Sequence, residues 1–386
     1  MNITHCDVAI IGGGPVGAAL AIALQGNDLN VVLLEARESE INTTDPRSLA
    51  LSYGTRLLLQ RLHAWDAIPN VSGIKTIEIT QKRSPGHTTL RAEELNVSEM
   101  GYVLPYTALH AALQKSLQRS DVRCLYGAAV SDLHSTIEHT ALTYTHQGKE
   151  HTLTARLAVV AEGGKLLEAS HPPQITDYGQ SGIIAHVTST QPDDGVAFER
   201  FTSQGPMALL PYMDGYELVL TAAHDKAQEM LTWDDATFLR YLQDHFGDRV
   251  GSFAGVGKRD CYPLRLKRAP DLTFPHTVLI GNAAQTLHPV AGQGFNMGIR
   301  DAWELAQVIL DSAPENVGSA AMCAAYRKSR RIDRNAGIRF TDGLVRIFSN
   351  DLPLLGHVRS AALTLLDCLP PAKKFVAKRM MFGANG

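Results

Sequence analysis

Residues 281–296, GNAAQTLHPVAGQGFN, carry small residues at their start and three glycines, but no nucleophile–base pair and no metal-ligand spacing. They follow an apolar run, TVLI, and precede an amphipathic segment, MGIRDAWELAQVIL. A strand, a small-residue turn and a glycine-rich helix start without a reactive group suit a large cofactor that brings its own chemistry. At the other end of the chain, Gly12-x-Gly14-x-x-Gly17 lies between the buried-strand run VAII and the helical segment PVGAALAIALQ, with Pro15 in its first turn. Gly12 allows the tight turn, Gly14 lets backbone approach a pyrophosphate, and Gly17 lets helix and strand pack closely. The helix start offers free N–H groups and its positive dipole end to phosphate. Glu35 closes the next buried strand, VVLLE, where a carboxylate accepts hydrogen bonds from a ribose. It also repels a 2′-phosphate, which leaves FAD or NAD; an NAD site needs no second glycine-rich helix start, so residues 281–296 select FAD.

The elements that must position these residues follow from pattern. The β-α-β unit at the N-terminus is joined by a helix at 108–118, a hairpin at 140–155 turning at Gln147-Gly148-Lys149, and a strand, LAVVAEGG, ending in glycines. From about 175 to 265 the chain becomes β-rich, interrupted by one helical insert, DDATFLRYLQDHFG. Buried-strand character returns at TVLIGNAA, and long helices follow. The expected fold is α/β (α+β): a Rossmann-like FAD-binding domain in three pieces (1–72, 101–174, 266–350), a smaller β-sheet substrate domain (73–100, 175–265), and a helical C-terminus (351–386). Phe295, Ile299, Ala302, Trp303, Ala306 and Ile309 should bury one face of the helix after the late glycines.

Composition narrows the class. The 386 residues suffice for two domains, and 45% apolar with 19% charged residues is ordinary for a soluble protein. A net charge of -3 gives no general attraction to nucleic acid. Five scattered cysteines, Cys6, Cys124, Cys261, Cys323 and Cys368, form no CxxC pair, which predicts a reduced, cytoplasmic protein. Asp7 and the early glycines break any signal-peptide pattern, and no run approaches the ~20 apolar residues of a spanning helix.

GGGPVG, VVAEGG and GNAAQTLHPVAGQGFN together resemble the three flavin-binding motifs of the FAD-dependent aromatic hydroxylases with the p-hydroxybenzoate hydroxylase fold. AFERFTSQGPMALLPY and YRKSRRIDRNAGIRFTDGLVRIFS are similar to segments of its ubiquinone-biosynthesis branch. The resemblance implies tightly held, non-covalent FAD contacted by Arg47, Val130, Glu162, Gly163, Gly281, Asn282, Gly292, Gln293, Gly294 and Asn296. Asn282 would hold a ribityl hydroxyl without charge, and the helix start at 292–296 would stabilise negative charge on the reduced ring. His288 and Pro289 would lie near the isoalloxazine as the candidate catalytic residues, with His288 either a base for phenol activation or a structural histidine bonded to backbone. The implied reaction uses NAD(P)H as a transient co-substrate and O2, through a flavin C4a-hydroperoxide, to hydroxylate a polyprenylated phenol, 2-octaprenyl-6-methoxyphenol first among them. Asn-Ala-Ala-Gln replaces the Asp-Ala-Ala-His usual in relatives, Glu162 replaces their usual Asp, and near Tyr106, where they often place a polar or basic cofactor contact, the local sequence is Leu-Pro-Tyr.

Rival readings are another ring position in the same pathway, or a flavin-holding scaffold for partner enzymes. Trp65, Trp233 and Trp303 are isolated and lack the Trp-x-Trp signature of flavin halogenases. Contacts with other ubiquinone-biosynthesis enzymes and self-association are compatible with the reading. Near the C-terminus, Leu355, Val358, Ala362, Leu365 and Leu369 recur at helical spacing and should pack onto the flavin domain. Lys373, Lys374, Lys378 and Arg379, beside Phe375, Met380 and Met381, form a basic amphipathic segment suited to peripheral contact with an anionic membrane.

Overall fold

The computed structural model describes residues 4–38, 45–82, 84–192, 194–287, 292–348 and 353–383, with backbone only at 344–348 and 353–358. The chain begins with β1 (His5–Ile11), α1 (Pro15–Ala23) and β2 (Val31–Glu35), then β3 (Ser48–Ser52) and α2 (Tyr53–Arg61). Short strands β4 (Ser72–Ile74), β5 (Thr76–Gln81), β6 (His87–Arg91) and β7 (Gly101–Pro105) lead into α3 (Tyr106–Leu117). Next come β8 (Arg123–Tyr126), β9 (Ala129–Ser135), β10 (Thr140–His146) and β11 (Lys149–Val160). The β-rich middle holds β12 (Gln174–Ser189), β13 (Val196–Thr202), β14 (Gly205–Tyr212), β15 (Gly215–Ala223), α4 (His224–Thr232), α5 (Asp235–Phe246), β16 (Phe253–Val256) and β17 (Asp260–Arg268). The last part is β18 (Thr273–Phe274), β19 (Thr277–Leu279), β20 (Gln285–Thr286), α6 (Gln293–Leu310), α7 (Ala320–Phe348), α8 (Pro353–Cys368) and α9 (Pro370–Phe382).

One sheet runs β18-β19-β11-β1-β2-β8, with the β9–β10 hairpin pairing off β11. Its centre is parallel: β1 lies between β11 and β2, and β19 follows on the far side of β11. VAII and VVLL are buried on both faces, as a parallel sheet covered by helices demands. Gln147 and Gly148, at φ +51 and +73, make the two-residue turn between β10 and β11.

The second sheet runs β20-β17-β12-β15-β14-β13-β5-β6 and is mostly antiparallel. Its outer face, with Ile183, Val187, Leu209, Leu218 and Leu220, is sealed by α4 and α5. The sequence suggested one helix here. The segment HDKAQEMLT adds a second, which buries Ala227 and Met230. On the inner face, Ala197 and Tyr212 cluster with Ile74 of β4 and Val103 of β7, and Leu266 packs with Leu287, Met297 of α6 and Ile338 of α7. A small sheet, β3-β7-β4, completes the fold.

Two C-terminal expectations change. Helix α8 buries Arg359, Ser360 and Leu363, while Ala362, Leu365 and Leu369 of the expected packing stripe are exposed. The helix is phased by its contacts with β5 and β6: Gly86 leaves room for Ser360, Leu363 meets Phe201 and Ile79, and Asp367 accepts from Thr88 and Thr89. Side chains of Leu355 and Val358 lie outside the described set. Helix α9 is no free tail. Ala377 and Met381 are buried with Leu90, Ala92 and Met100, and Lys373 pairs with Glu94 at 3.1 Å.

Candidate active site

Parallel pairing of β1 with β2 and β11 brings Ile11, Glu35 and Val160 to one sheet edge. The glycine loop after β1 is set by close approach. Gly12 has φ +107, and a Cβ there would lie 2.8 Å from the Glu162 nitrogen. A Cβ on Gly17 would lie 2.0 Å from the Gly12 oxygen. On Gly14 it would meet nothing within 4 Å, so this glycine keeps a space open rather than a contact.

The middle and late motifs lock onto the first by the same device. Gly163 and Gly164 have φ +99 and +89, and a Cβ on Gly164 would sit 2.9 Å from the Ala283 Cα. Gly281 and Gly298 both close on Val16 of α1, so α1 and α6 start side by side. Gly292, at φ +60, abuts Ala50 of β3, whereas Gly294 is open like Gly14. Helices α1 and α6 begin at Gly14 and Gly292 with no side-chain cap. An uncapped helix start is the form that a phosphate- or carbonyl-binding N-terminus takes.

Glu35 is buried; its Oε2 accepts from Gly13 N at 2.6 Å and its Oε1 from Arg37 N and Nε at 3.0 and 2.8 Å. Burial disfavours its charge, but the Arg37 side chain and these N–H groups outweigh that and hold its carboxyl below the usual range. Gln114, buried on α3, donates to the Gly13 oxygen at 2.9 Å and accepts from the Tyr126 hydroxyl at 2.7 Å. One turn back, His110 is 6% exposed and neither ring nitrogen has a hydrogen-bond partner. Burial, then the charge of Arg37, push its pKa down. Tyr106 stacks on His110 with centroids 6.1 Å apart. The stripe of Tyr106, His110 and Gln114 at i, i+4, i+8 was not expected from sequence; its polar groups stand out only once the packing of α3 shows that His110 and Gln114 are buried.

Arg47 pairs with Asp45 at 2.5 Å and lies over the rings of Tyr106 and Tyr262. Pro15 is the first residue of α1, and Val130 is half-buried on β9 opposite Tyr144. Glu162 folds back so that Oε1 accepts from Gly164 N at 2.8 Å and Leu166 N at 3.2 Å, a turn cap made from its extra carbon. Asn282 is exposed on the short helical turn after β19. Gln293 is buried and donates to the Met380 oxygen. Asn296 clamps β3 to α6: it accepts from Ser52 N at 2.8 Å and donates to the Ala50 and Gly292 oxygens. His288 and Pro289 lie outside the described residues.

Behind the late motif is a buried ionic network that the sequence did not reveal. Asp301 accepts from Gly281 N, Gln285 Nε2 and Arg330 Nε, the last at 2.7 Å. Arg330 Nη2 lies 2.7 Å from Asp333 in an ion pair whose angles are not those of a hydrogen bond. Arg334 binds Gln285 and the Ala269 and Ala284 oxygens. Gln285, in place of the usual histidine, is thus a fully engaged structural side chain.

An open cradle at Gly14, two uncapped helix starts, an ionised Glu35 and an orphaned buried imidazole all fit FAD. Fold and site define a flavoprotein monooxygenase of the p-hydroxybenzoate hydroxylase type. The chain belongs to the FAD binding domain family, whose model matches residues 5–339. It is 31% identical to ubiquinone hydroxylase UbiL of Rhodospirillum rubrum, over 97% of this chain and 89% of that protein. It is 28% identical to 3-demethoxyubiquinol 3-hydroxylase of Escherichia coli, over 92% and 93%. Its fold matches p-nitrophenol 4-monooxygenase PnpA of Pseudomonas putida with TM-score 0.80 at 16% identity, covering 100% of both chains.

Proposed function

We propose that this chain hydroxylates the ring of a polyprenylated phenol in ubiquinone biosynthesis, with 2-octaprenyl-6-methoxyphenol as the first candidate, consuming NAD(P)H and O2. The observation that carries this reading is near full-length similarity to proteins named ubiquinone hydroxylases. Bound FAD supplies the electron relay and the activation of O2. Residues of the chain do the rest. The α1 start at Gly14 holds the pyrophosphate, Glu35 and His110 take the ribose side, and Asn282 takes a ribityl hydroxyl. The α6 start at Gly294 stabilises negative charge on the pyrimidine edge. The apolar inner face of the second sheet orients the phenol and keeps water out.

The test is to feed candidate prenylphenols to purified protein with NAD(P)H and identify products by mass and ring position. Substrate-stimulated NAD(P)H oxidation with a hydroxylated product supports the reading. Flavin without turnover on any of them points to the scaffold instead. The similarity to a 3-hydroxylase favours, as second reading, attack at another ring position, and the product's regiochemistry separates the two.

A further inference from the structure

On the inner face of the second sheet, cross-strand pairing puts Thr88, Ile79, Glu199, Ala208, Val219 and Ile184 in one row. Facing residues of an antiparallel or parallel pair point to the same side, so this row is fixed by register. The opposite face is sealed, with Ile183, Leu209, Leu218 and Leu220 at 0% exposure. On the inner face, Ile79, Glu199, Leu210, Val219 and Ile184 all keep part of their surface accessible. These half-open side chains form a partly accessible apolar wall beside the Ile74–Val103 cluster.

Glu199 is the one carboxyl in the middle of this row. Protein surrounds it, yet part of its surface remains accessible. No hydrogen bond or ion pair reaches it among the described residues. Burial alone pushes its pKa up to about 8. Other polar atoms nearby are orphaned too. Gln81, diagonal to Glu199 on β5, has a buried Oε1 without a partner, as has Thr221 Oγ1 in the next row. Unpartnered buried polar groups in an apolar wall call for a ligand that brings matching polar atoms.

We propose, on the phenol-hydroxylase reading above, that Glu199 is a catalytic residue that contacts the substrate's phenolic hydroxyl and accepts its proton. The phenol O–H bond breaks, an O–H bond forms on the Glu199 carboxylate, and the electron pair stays on the phenolate oxygen. That charge raises electron density at the ortho and para ring carbons. The proton returns to a phenolic oxygen when the product leaves, so the step balances without an oxidant. A carboxylate in water is too weak a base for a phenol; desolvation brings the two proton affinities together.

The neighbours do not compete for this role. On the flanking strands the same face carries Ile77, Ile79 and Gln81, and Pro206, Ala208 and Leu210, none of which titrates. Helix α8 brings Leu363, and its Asp367 is bound to Thr88 and Thr89. Along the sheet, His186 is paired with Glu217 and Asp214. Thr341, on α7, has a buried hydroxyl without a hydrogen-bond partner among the described residues.

The experiment uses the FAD-loaded full chain, wild type and with Glu199→Gln or Glu199→Asp, and a prenylated methoxyphenol. Binding is read from the change in the flavin spectrum, and kcat/KM is followed against pH. The wild type is expected to gain kcat/KM as pH rises through about 8. Glu199→Gln is expected to lower kcat/KM by ~100-fold or more and to lose that pH dependence, with Glu199→Asp recovering part of it and FAD content unchanged. A second readout is thermal. Unfolded Glu199 ionises near 4.5 and folded Glu199 near 8, so the wild type loses stability as pH rises across that window. The melting temperature of Glu199→Gln should therefore climb relative to wild type from pH 5 to 8. Equal kcat/KM and pH profiles in wild type and Glu199→Gln overturn the role of Glu199 alone. Failure of the wild type to bind any prenylated phenol overturns the substrate reading and the proposal with it.

Discussion

At the residue scale, the glycines of the first loop divide into two kinds. Gly17 is needed by the protein itself, since a methyl group there would lie 2.0 Å from the Gly12 oxygen. Gly17→Ala should lower the melting temperature and the yield of folded protein. A Cβ on Gly14 would meet nothing within 4 Å, so Gly14→Val should fold normally and melt near the wild-type apoprotein, yet bind no FAD; flavin content and differential scanning fluorimetry separate the two outcomes. Asn282 is exposed and uncommitted, so Asn282→Asp should keep FAD, and Asn282→Leu should weaken it by ~1–3 kcal/mol through an unsatisfied hydroxyl partner, measured by flavin fluorescence titration. The glycine spacing was legible in sequence because turn geometry and phosphate approach leave few alternatives. Gln114, His110 and Glu199 were not legible, because a polar residue on a buried face has no local signature: only the pairing of distant elements shows what it faces.

At the element scale, what holds the late motif in place is α7. Arg330 is 1% exposed and stands between Asp301 and Asp333, while Arg334 fixes Gln285, the Ala284 carbonyl of the Gly281–Gln285 turn and the Ala269 carbonyl. Arg330→Met leaves Asp301 buried without its cation, a loss of about 3–5 kcal/mol. The expected result is a large fall in the urea midpoint, with FAD affinity lowered in parallel, because Asp301 also accepts from Gly281 N. The apolar stripe of α6 was readable from its period, and Ile299, Ala302, Ala306 and Ile309 are buried as that period requires. The run of arginines in α7 was not, since basic residues in a helix read as a solvated face until Asp301 of α6 is brought against Arg330. The stripe on α8 misled for the opposite reason: regular spacing of Leu and Ala gives a period but not which face the strands beneath will take.

At the scale of the whole molecule, α7 packs against β14, α8 against β5 and β6, and α9 against α2 and β3. No described helix is long and apolar enough to cross a membrane. The C-terminal helices instead present Leu365, Leu369 and Phe375 at 59%, 45% and 61% exposure, with Lys374 and Lys378 beside them. We propose this patch as the peripheral contact with an anionic bilayer, each nearby cation adding ~1 kcal/mol. Because α9 is part of the core, deletion would unfold it; Leu365→Ser with Phe375→Ser, and Lys374→Glu with Lys378→Glu, are the informative variants. Both pairs should retain FAD and bind anionic liposomes more weakly, the wild-type binding falling with salt; sedimentation equal to wild type would remove the patch from the account. The central claim, that this chain puts an oxygen atom from O2 onto a prenylated phenol, is tested most directly by turnover under isotopically heavy O2 with NAD(P)H. The account predicts one heavy oxygen atom in each product ring. A product carrying oxygen from water, or NAD(P)H oxidation with peroxide release and an unchanged ring, would contradict it.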